Sequence, residues 1–339
     1  MKKRLLFKFI FVVLVIVVML MAFASCGKGD SPSPDNPDTP DNPDTPDKPD
    51  TPDKPDTPDK PDTPDTPDVP DTPDNPDNPD TPDVPTEDYK TEEFWTQNGS
   101  KNIYCKLYFP NDELASHPAV ILSHSAFLTG NSLAAYAKGF ADRGYVACTF
   151  DFCGGSNSSK SDGKVKEMTI FSEVADLKAV ISAVSAREDV TDGGVLLVGT
   201  SQGGLVTALT ANGIPEAVSG MILLYPAFNI ADQVKKYASN PLIPDSLIPY
   251  GKTFISSLTN YDVYEHIAAF DKPVLIVHGT NDRTVPISYS EKAQTIYSDC
   301  ELKKILGAGH GFNAANYSVT DYDSLVWGFV DEYLAKLAS

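Results

Sequence analysis

Val195-Leu196-Leu197-Val198-Gly199-Thr200-Ser201-Gln202-Gly203-Gly204 places a serine where an apolar strand gives way to a helix. The first four residues are β-branched or leucine, a run too short for a helix and suited to a strand buried on both faces. Leu205 to Thr210 then carry helix-compatible spacing. Gly199 and Gly203 flank Ser201 at minus two and plus two. At such positions a sharp, strained turn brings strand and helix too close for a Cβ atom. The turn lifts the hydroxyl into the open, which makes Ser201 a candidate nucleophile toward a carbonyl. A glycine-rich strand-to-helix turn also suits phosphate, so this stretch alone leaves two chemistries open.

Two later segments narrow the choice. Pro273-Val274-Leu275-Ile276-Val277-His278-Gly279-Thr280-Asn281-Asp282 is a second buried-strand pattern, with Asp282 just past its carboxyl end. Leu302-Lys303-Lys304-Ile305-Leu306 is a shorter strand, followed by a glycine-rich loop that holds His310. Loops at the carboxyl ends of parallel strands converge on one crevice, so Ser201, Asp282 and His310 can meet there. A serine hydroxyl needs an adjacent base near neutral pH, and an imidazole of ordinary pKa ~6.5 can take and return its proton. Asp282 would fix the tautomer of that imidazole and stabilise the imidazolium. The order Ser, Asp, His is that of the α/β-hydrolase arrangement and differs from the trypsin-like and subtilisin-like orders. His278, inside a strand pattern, reads as a packed or loop-supporting histidine. His117 and His266 lack chemical context, and Asp271, Asp299 and Asp321 read as turn or cap residues.

Acyl transfer also needs two backbone donors for the tetrahedral oxyanion. The amide of Gln202, next after the nucleophile, is one. The other is expected from Ser123-His124-Ser125-Ala126-Phe127, the loop after the strand pattern Ala119 to Leu122.

From Tyr89 onward strands alternate with helices, which predicts a mostly parallel sheet covered on both faces. Strands are expected at Ile103 to Phe109, Val120 to Leu122, Tyr145 to Phe150 and Met221 to Tyr225. Thr169 to Ala186 has one apolar face at helical period, and Ser324 to Leu337 is a closing amphipathic helix. Between Pro226 and Pro273 the pattern lapses for longer than a plain connection in a compact domain. An inserted cap is therefore expected over about 227–268. Tyr225, Phe228, Tyr250, Phe254, Tyr261 and Tyr264 are its candidate pocket-lining residues, or else the cap's own core.

These motifs together resemble the α/β-hydrolase superfamily from about Tyr89 to Ser339. Within it, Asp151-Phe152-Cys153-Gly154-Gly155, Ser161-Asp162-Gly163-Lys164, Met168-Thr169 and Tyr264-Glu265 resemble the bacterial cinnamoyl (feruloyl) esterases. That resemblance implies cleavage of hydroxycinnamic or small aryl and alkyl esters by Ser201, Asp282 and His310, without a cofactor or metal. Hydrolases of this fold usually carry His-Gly in this loop, with the donor amide on the next residue. Matched here, the donor is Ala126, with Phe127 as the alternative, and Ser125 stands where glycine is usual. The run His278-Gly279…Asp282…Val285-Pro286 also resembles prolyl-oligopeptidase-type serine peptidases.

The first 88 residues bear on location. Lys2, Lys3, Arg4 and Lys8 precede an apolar run from Phe9 to Ala24, then Ser25 and Cys26. A basic start, a short apolar run and small residues before the boundary describe an export signal, too short for a usual ~20-residue span. The boundary resembles a bacterial lipobox, which implies a signal over 1–25 and lipidation of Cys26. An uncleaved signal anchor is the alternative, and either places the catalytic domain outside the cytoplasmic membrane. In residues 31–86 Pro recurs at every third position from 34 to 85 and Asp from 35 to 83. Polyproline II has about three residues per turn, so the prolines form one ridge and the aspartates another. Such a disordered, charge-stiffened linker could reach on the order of 170 Å when fully extended.

The formal charge of −20 resolves into +5 for residues 1–29, −17 for 30–88 and −8 for the remainder. A modestly acidic domain without a basic stripe excludes nucleic acid as the expected partner. Cys105, Cys148, Cys153 and Cys300 show no metal-ligand spacing, and buried thiols and disulfides both remain open. The sequence thus predicts a lipid-anchored, cell-surface serine hydrolase of esters, acting on a small ester or an acylated polysaccharide. The alternatives are a serine peptidase on the same three residues and a non-catalytic, hydrolase-like binding domain.

Overall fold

The computed structural model describes residues 89–239, 250–312 and 322–338. The expected signal, Cys26 and the Pro/Asp linker lie outside these residues, as does Asp321. The unit beginning at Asp88 is built on one eight-stranded sheet. Its strands are β1 (Thr91–Asn98), β2 (Lys101–Tyr108), β3 (Ala119–Ser123), β4 (Val146–Phe150), β5 (Val195–Thr200), β6 (Val218–Leu224), β7 (Val274–Gly279) and β8 (Cys300–Ile305). They lie in the order β1-β2-β4-β3-β5-β6-β7-β8. The β1/β2 and β2/β4 pairs are antiparallel and the rest parallel, which gives the α/β-hydrolase fold expected from the sequence.

The described helices are α1 (Ala134–Ala141), α2 (Ile170–Ser185), α3 (Gln202–Gly213), α4 (Ile230–Ser239), α5 (Lys252–Leu258), α6 (Ser288–Ile296) and α7 (Tyr322–Leu337). Both faces of the sheet are covered. Ala119 and Ile121 of β3, Leu197 of β5 and Ile276 of β7 pack with α2, α3 and the segment after β6. Their neighbours Val120, Leu122, Val198 and Leu275 pack with α1 and α7 on the other face. Period-two alternation between two cores explains why the central strands read as unbroken apolar runs.

The edges of the sheet carry charge instead. On β8, Lys303 pairs with Glu301 and Glu332, and Lys304 with Glu291, a composition that discourages further strand pairing. β1 was not among the expected strands, because Thr91-Glu92-Glu93-Phe94-Trp95 is a largely exposed edge whose inward positions are only half-buried, with Phe94 alone of these five packed on the core. Strand order reverses about β3, whose neighbours are β4 and β5. A crevice opens at the carboxyl ends of strands at such a reversal, and there the loop after β3 meets Ser201.

Candidate active site

Ser201 links β5 to α3 with φ 49° and ψ −116°, a conformation L-residues avoid. Strain of this kind costs on the order of 1–3 kcal/mol and persists only where neighbours over-determine it. Here the Ser201 amide donates to the Leu224 carbonyl at 3.0 Å, while its own carbonyl accepts from Ala227 at 2.8 Å and Gly204 at 3.0 Å. A Cβ on Gly199 would stand 2.5 Å from the Gly203 carbonyl oxygen and the Thr207 hydroxyl. One on Gly203 would stand 2.5 Å from the His124 carbonyl oxygen. Both flanking glycines are therefore required by backbone proximity.

Asp282 and His310 reach this serine from the loops after β7 and β8. His310 Nδ1 lies 2.7 Å from Asp282 Oδ2, and its Nε2 lies 2.9 Å from Ser201 Oγ. A carboxylate only accepts, so Nδ1 carries the proton, and Nε2 is left to accept from the serine hydroxyl. Asp282 is 6 % exposed. Burial pushes its pKa up, but bonds from His278, His310 and the Val285 amide outweigh that and hold the carboxyl well below its ordinary range. Its Oδ1 accepts from the amides of Thr284 at 2.9 Å and Val285 at 2.8 Å.

His278 is fully buried and supports the Asp282 loop. Its Nε2 lies 2.9 Å from the Val285 carbonyl and 3.2 Å from Asp282 Oδ2, and its Nδ1 lies 2.7 Å from Ser290 Oγ. Both partners of Nε2 accept only, so that nitrogen donates. Tyr225, with φ 40°, lays its ring edge-on to His310 and to Phe312, each at 4.9 Å. Burial pushes its phenol up to about 12.

The loop after β3 makes a turn closed by the Leu128 amide donating to the Ser125 carbonyl at 3.2 Å. That bond leaves the amides of Ala126, the expected second donor, and of Phe127, its alternative, at the corners of the turn. Phe127, not Ser125, takes the left-handed conformation, with φ 62°. This is how serine fits where glycine is usual. Its hydroxyl lies 2.9 Å from Thr200 Oγ1 and so ties the loop to the residue before the nucleophile. His124 holds the same loop from beneath. Its Nδ1 donates to the Ser125 carbonyl at 2.9 Å and its Nε2 accepts from the Phe152 amide at 3.2 Å. Burial pushes its pKa below the usual value, in keeping with a neutral ring. Gln202 opens α3, so its amide has no carbonyl one turn earlier in the helix to bond.

Sequence reasoning missed three residues about the site: His124, Glu173 and Asp176. Glu173 and Asp176 lie one turn apart on α2, 1 % and 0 % exposed. Asp176 accepts from the Cys153 amide and Asn98, each at 2.8 Å. Glu173 accepts from the Gln202 side chain, and burial pushes its carboxyl up to about 8. Acidic residues in an apolar helical face were the available signal. Of the candidate lining residues, Phe228, Tyr250 and Phe254 are buried in the main core, and Tyr261 and Tyr264 pack against it. Cys105, Cys148 and Cys153 are buried free thiols, and Cys300 is a half-buried one. His117 pairs with Asp112 at 3.3 Å and Asp299 with Lys336 at 2.9 Å, both away from these residues in role.

Known proteins agree with this architecture. Est1E from Butyrivibrio proteoclasticus with ferulic acid bound is 22 % identical, aligned over 73 % of this chain and 100 % of its own, with a TM-score of 0.63. The α/β hydrolase GrgF from Penicillium sp. sh18 is 16 % identical over 74 % of this chain and 100 % of its own, with a TM-score of 0.59. At those identities the likeness concerns the fold. A non-heme haloperoxidase of Rhodococcus erythropolis is 35 % identical over 72 residues, which are 21 % of this chain and 26 % of that protein. The chain thus spans about a quarter of that relative's length. The sequence model of the prolyl oligopeptidase family matches residues 131–337, more than half of the chain and all of the segment that bears Ser201, Asp282 and His310. On that match, and with this fold, the chain is a hydrolase of the α/β-hydrolase type that belongs to the prolyl oligopeptidase family.

Proposed function

We propose that this hydrolase cleaves carboxylic esters through an acyl-serine intermediate, and that its substrates are hydroxycinnamoyl or short-acyl esters, including those on polysaccharide. The observation that carries this reading is the relay from Asp282 through His310 to Ser201, with hydrogen bonds of 2.7 and 2.9 Å. His310 Nε2 takes the Ser201 proton as Oγ bonds to the ester carbonyl carbon. The carbonyl oxygen becomes an oxyanion facing the Gln202 amide and the Ala126–Phe127 turn. Collapse breaks the bond to the leaving oxygen, which departs as an alcohol with the proton from His310. Water then repeats the sequence on the acyl-serine and releases the acid. One oxyanion donor of this kind supplies about 2.7–4 kcal/mol of transition-state stabilisation. Ferulic acid bound to the similarly folded Est1E supports the aromatic acyl class.

Membership of the prolyl oligopeptidase family favours a second reading, peptide hydrolysis by the same residues. Rates with p-nitrophenyl acetate, butyrate and laurate, methyl ferulate and an aminoacyl p-nitroanilide separate the two. Esters should turn over and Ser201→Ala should be inactive. Turnover of the anilide alone would establish the peptidase, and ester cleavage that survives the substitution would sink the mechanism. We further propose that Cys26 carries a lipid that holds the enzyme at the cell surface through the Pro/Asp linker. Metabolic labelling with a fatty acid should be lost in Cys26→Ser, and label that persists there refutes the assignment.

A further inference from the structure

The side chain of Gln202 does not face the space in front of Ser201. It is 1 % exposed and held at both ends. Its Nε2 lies 2.8 Å from Oε2 and 3.0 Å from Oε1 of Glu173, and its Oε1 accepts from the Tyr250 hydroxyl at 3.4 Å. Glu173 is itself fixed. It lies in the first turn of α2, whose start is locked by reciprocal bonds between Thr169 and Ser172, at 2.9 Å and 3.0 Å. Tyr250 comes from the segment inserted between β6 and β7, where its ring stacks on Phe254 at 4.1 Å and 8°. Its ring also lies 5.3 Å from that of Phe127. One tyrosine therefore touches both halves of the oxyanion site: Gln202 through its hydroxyl, and the Ala126–Phe127 turn through its ring.

We propose that Glu173 and Tyr250 are positioning residues that hold the Gln202 amide and the Ala126–Phe127 turn in register about the oxyanion, and so couple the inserted segment to the chemical step. The proposal rests on the ester-hydrolase reading. A buried primary amide must satisfy both its N–H and C=O groups. With Glu173 and Tyr250 in place, Gln202 does so in one orientation, which pins the first turn of α3 beside the strained serine. Without the carboxyl, the amide rotates toward other partners and carries the start of the helix with it. Catalysis is sensitive to such shifts, since a misplacement of about 1 Å can cost on the order of 100-fold in rate.

The test uses the full chain, p-nitrophenyl acetate and a trifluoromethyl ketone, which adds to serine and presents an oxyanion to the same donors. Glu173→Leu should lower kcat on the order of 10- to 100-fold, with KM within about 2-fold, and weaken the ketone by the same factor as kcat. Glu173→Gln should restore near wild-type values, because its side-chain carbonyl still accepts from Gln202. Tyr250→Phe keeps the ring packing and should lower kcat and ketone affinity together by about 3- to 10-fold. If Glu173→Leu does not fold, Tyr250→Phe decides. Folded variants whose melting falls while kcat and ketone affinity stay at wild-type values would overturn the proposal. In that case an active wild type and an inactive Ser201→Ala leave the ester reading standing, whereas a wild type inert toward every ester removes that reading instead.

Discussion

At the scale of single residues, chemistry is set by who may donate to whom. Asp282 accepts from His310, His278 and two backbone amides, so it stays ionised and orders the imidazole. Asp282→Asn would present N–H groups to donors and favour the wrong tautomer of His310. We expect kcat on p-nitrophenyl acetate to fall about 10⁴-fold with the fold retained, as checked by steady-state kinetics beside circular dichroism. A loss below tenfold would mean that His310 does not act through Asp282. Ser201, Asp282 and His310 could be named in the sequence because each follows its own strand pattern and each side chain has a known chemistry. Glu173 could not be given a role, since two acids on an apolar helical face, Glu173 and Asp176, signal burial but do not say which distant group each will bond. His124 was hidden for a related reason: it precedes the loop residue whose amide was sought, and its own role is to bond backbone on either side.

At the scale of elements, the turn from β5 into α3 is the most demanding piece of the fold. Its sharpness comes from backbone packing, with Gly203 against the carbonyls of the loop after β3. Gly203→Ala therefore has no flexible side chain to displace. It should cost about 1–3 kcal/mol in denaturant-measured stability and also depress kcat, because relief means moving the β3 loop away from Ser201. An unchanged urea midpoint would show that the approach is looser than described. Some buried elements were legible nearly to the residue: the helix expected at 169–186 spans Ile170–Ser185, and the strand expected from Val195 runs to Thr200, whereas the strand expected from Met221 begins three residues earlier, at Val218. β1 was not, as the half-buried positions of this edge strand alternate with exposed ones but are not consistently apolar: Phe94, Thr96 and Asn98. The aromatic residues after β6 read as pocket lining or as core, and Phe228 and Phe254 are core, because a short insertion must bury its own large rings before it can present any.

At the scale of the whole molecule, buried charge links stability to pH. Glu173 has its pKa pushed from 4.5 up to about 8, first by burial and further by Asp176, against the hydrogen bond from Gln202. Tyr250 faces it as well, and its phenol is also raised by burial. Between those two pKa values the folded protein keeps a proton that the unfolded chain has released. The stability this contributes is complete below about pH 4.5 and is lost as pH rises through 8, amounting to a few kcal/mol at most. Glu173→Gln removes the titration, so its melting temperature should fall less than wild type between pH 5 and pH 9. An identical fall in both proteins would place the alkaline loss elsewhere. Asp282 has the opposite sign: its lowered pKa contributes stability above the ordinary carboxylate range that is lost on acidification. The sequence by itself determined the class of fold, the residue types of the relay and their order along the chain, because strand periodicity, glycine spacing and side-chain chemistry are local properties. Only the tertiary structure decided that the three side chains meet, that Ser125 anchors its loop with Phe127 taking the left-handed turn, and that Glu173, Gln202 and Tyr250 join. Those contacts span residues 28 to 109 positions apart, and no local pattern encodes which distant partner a buried polar group will find.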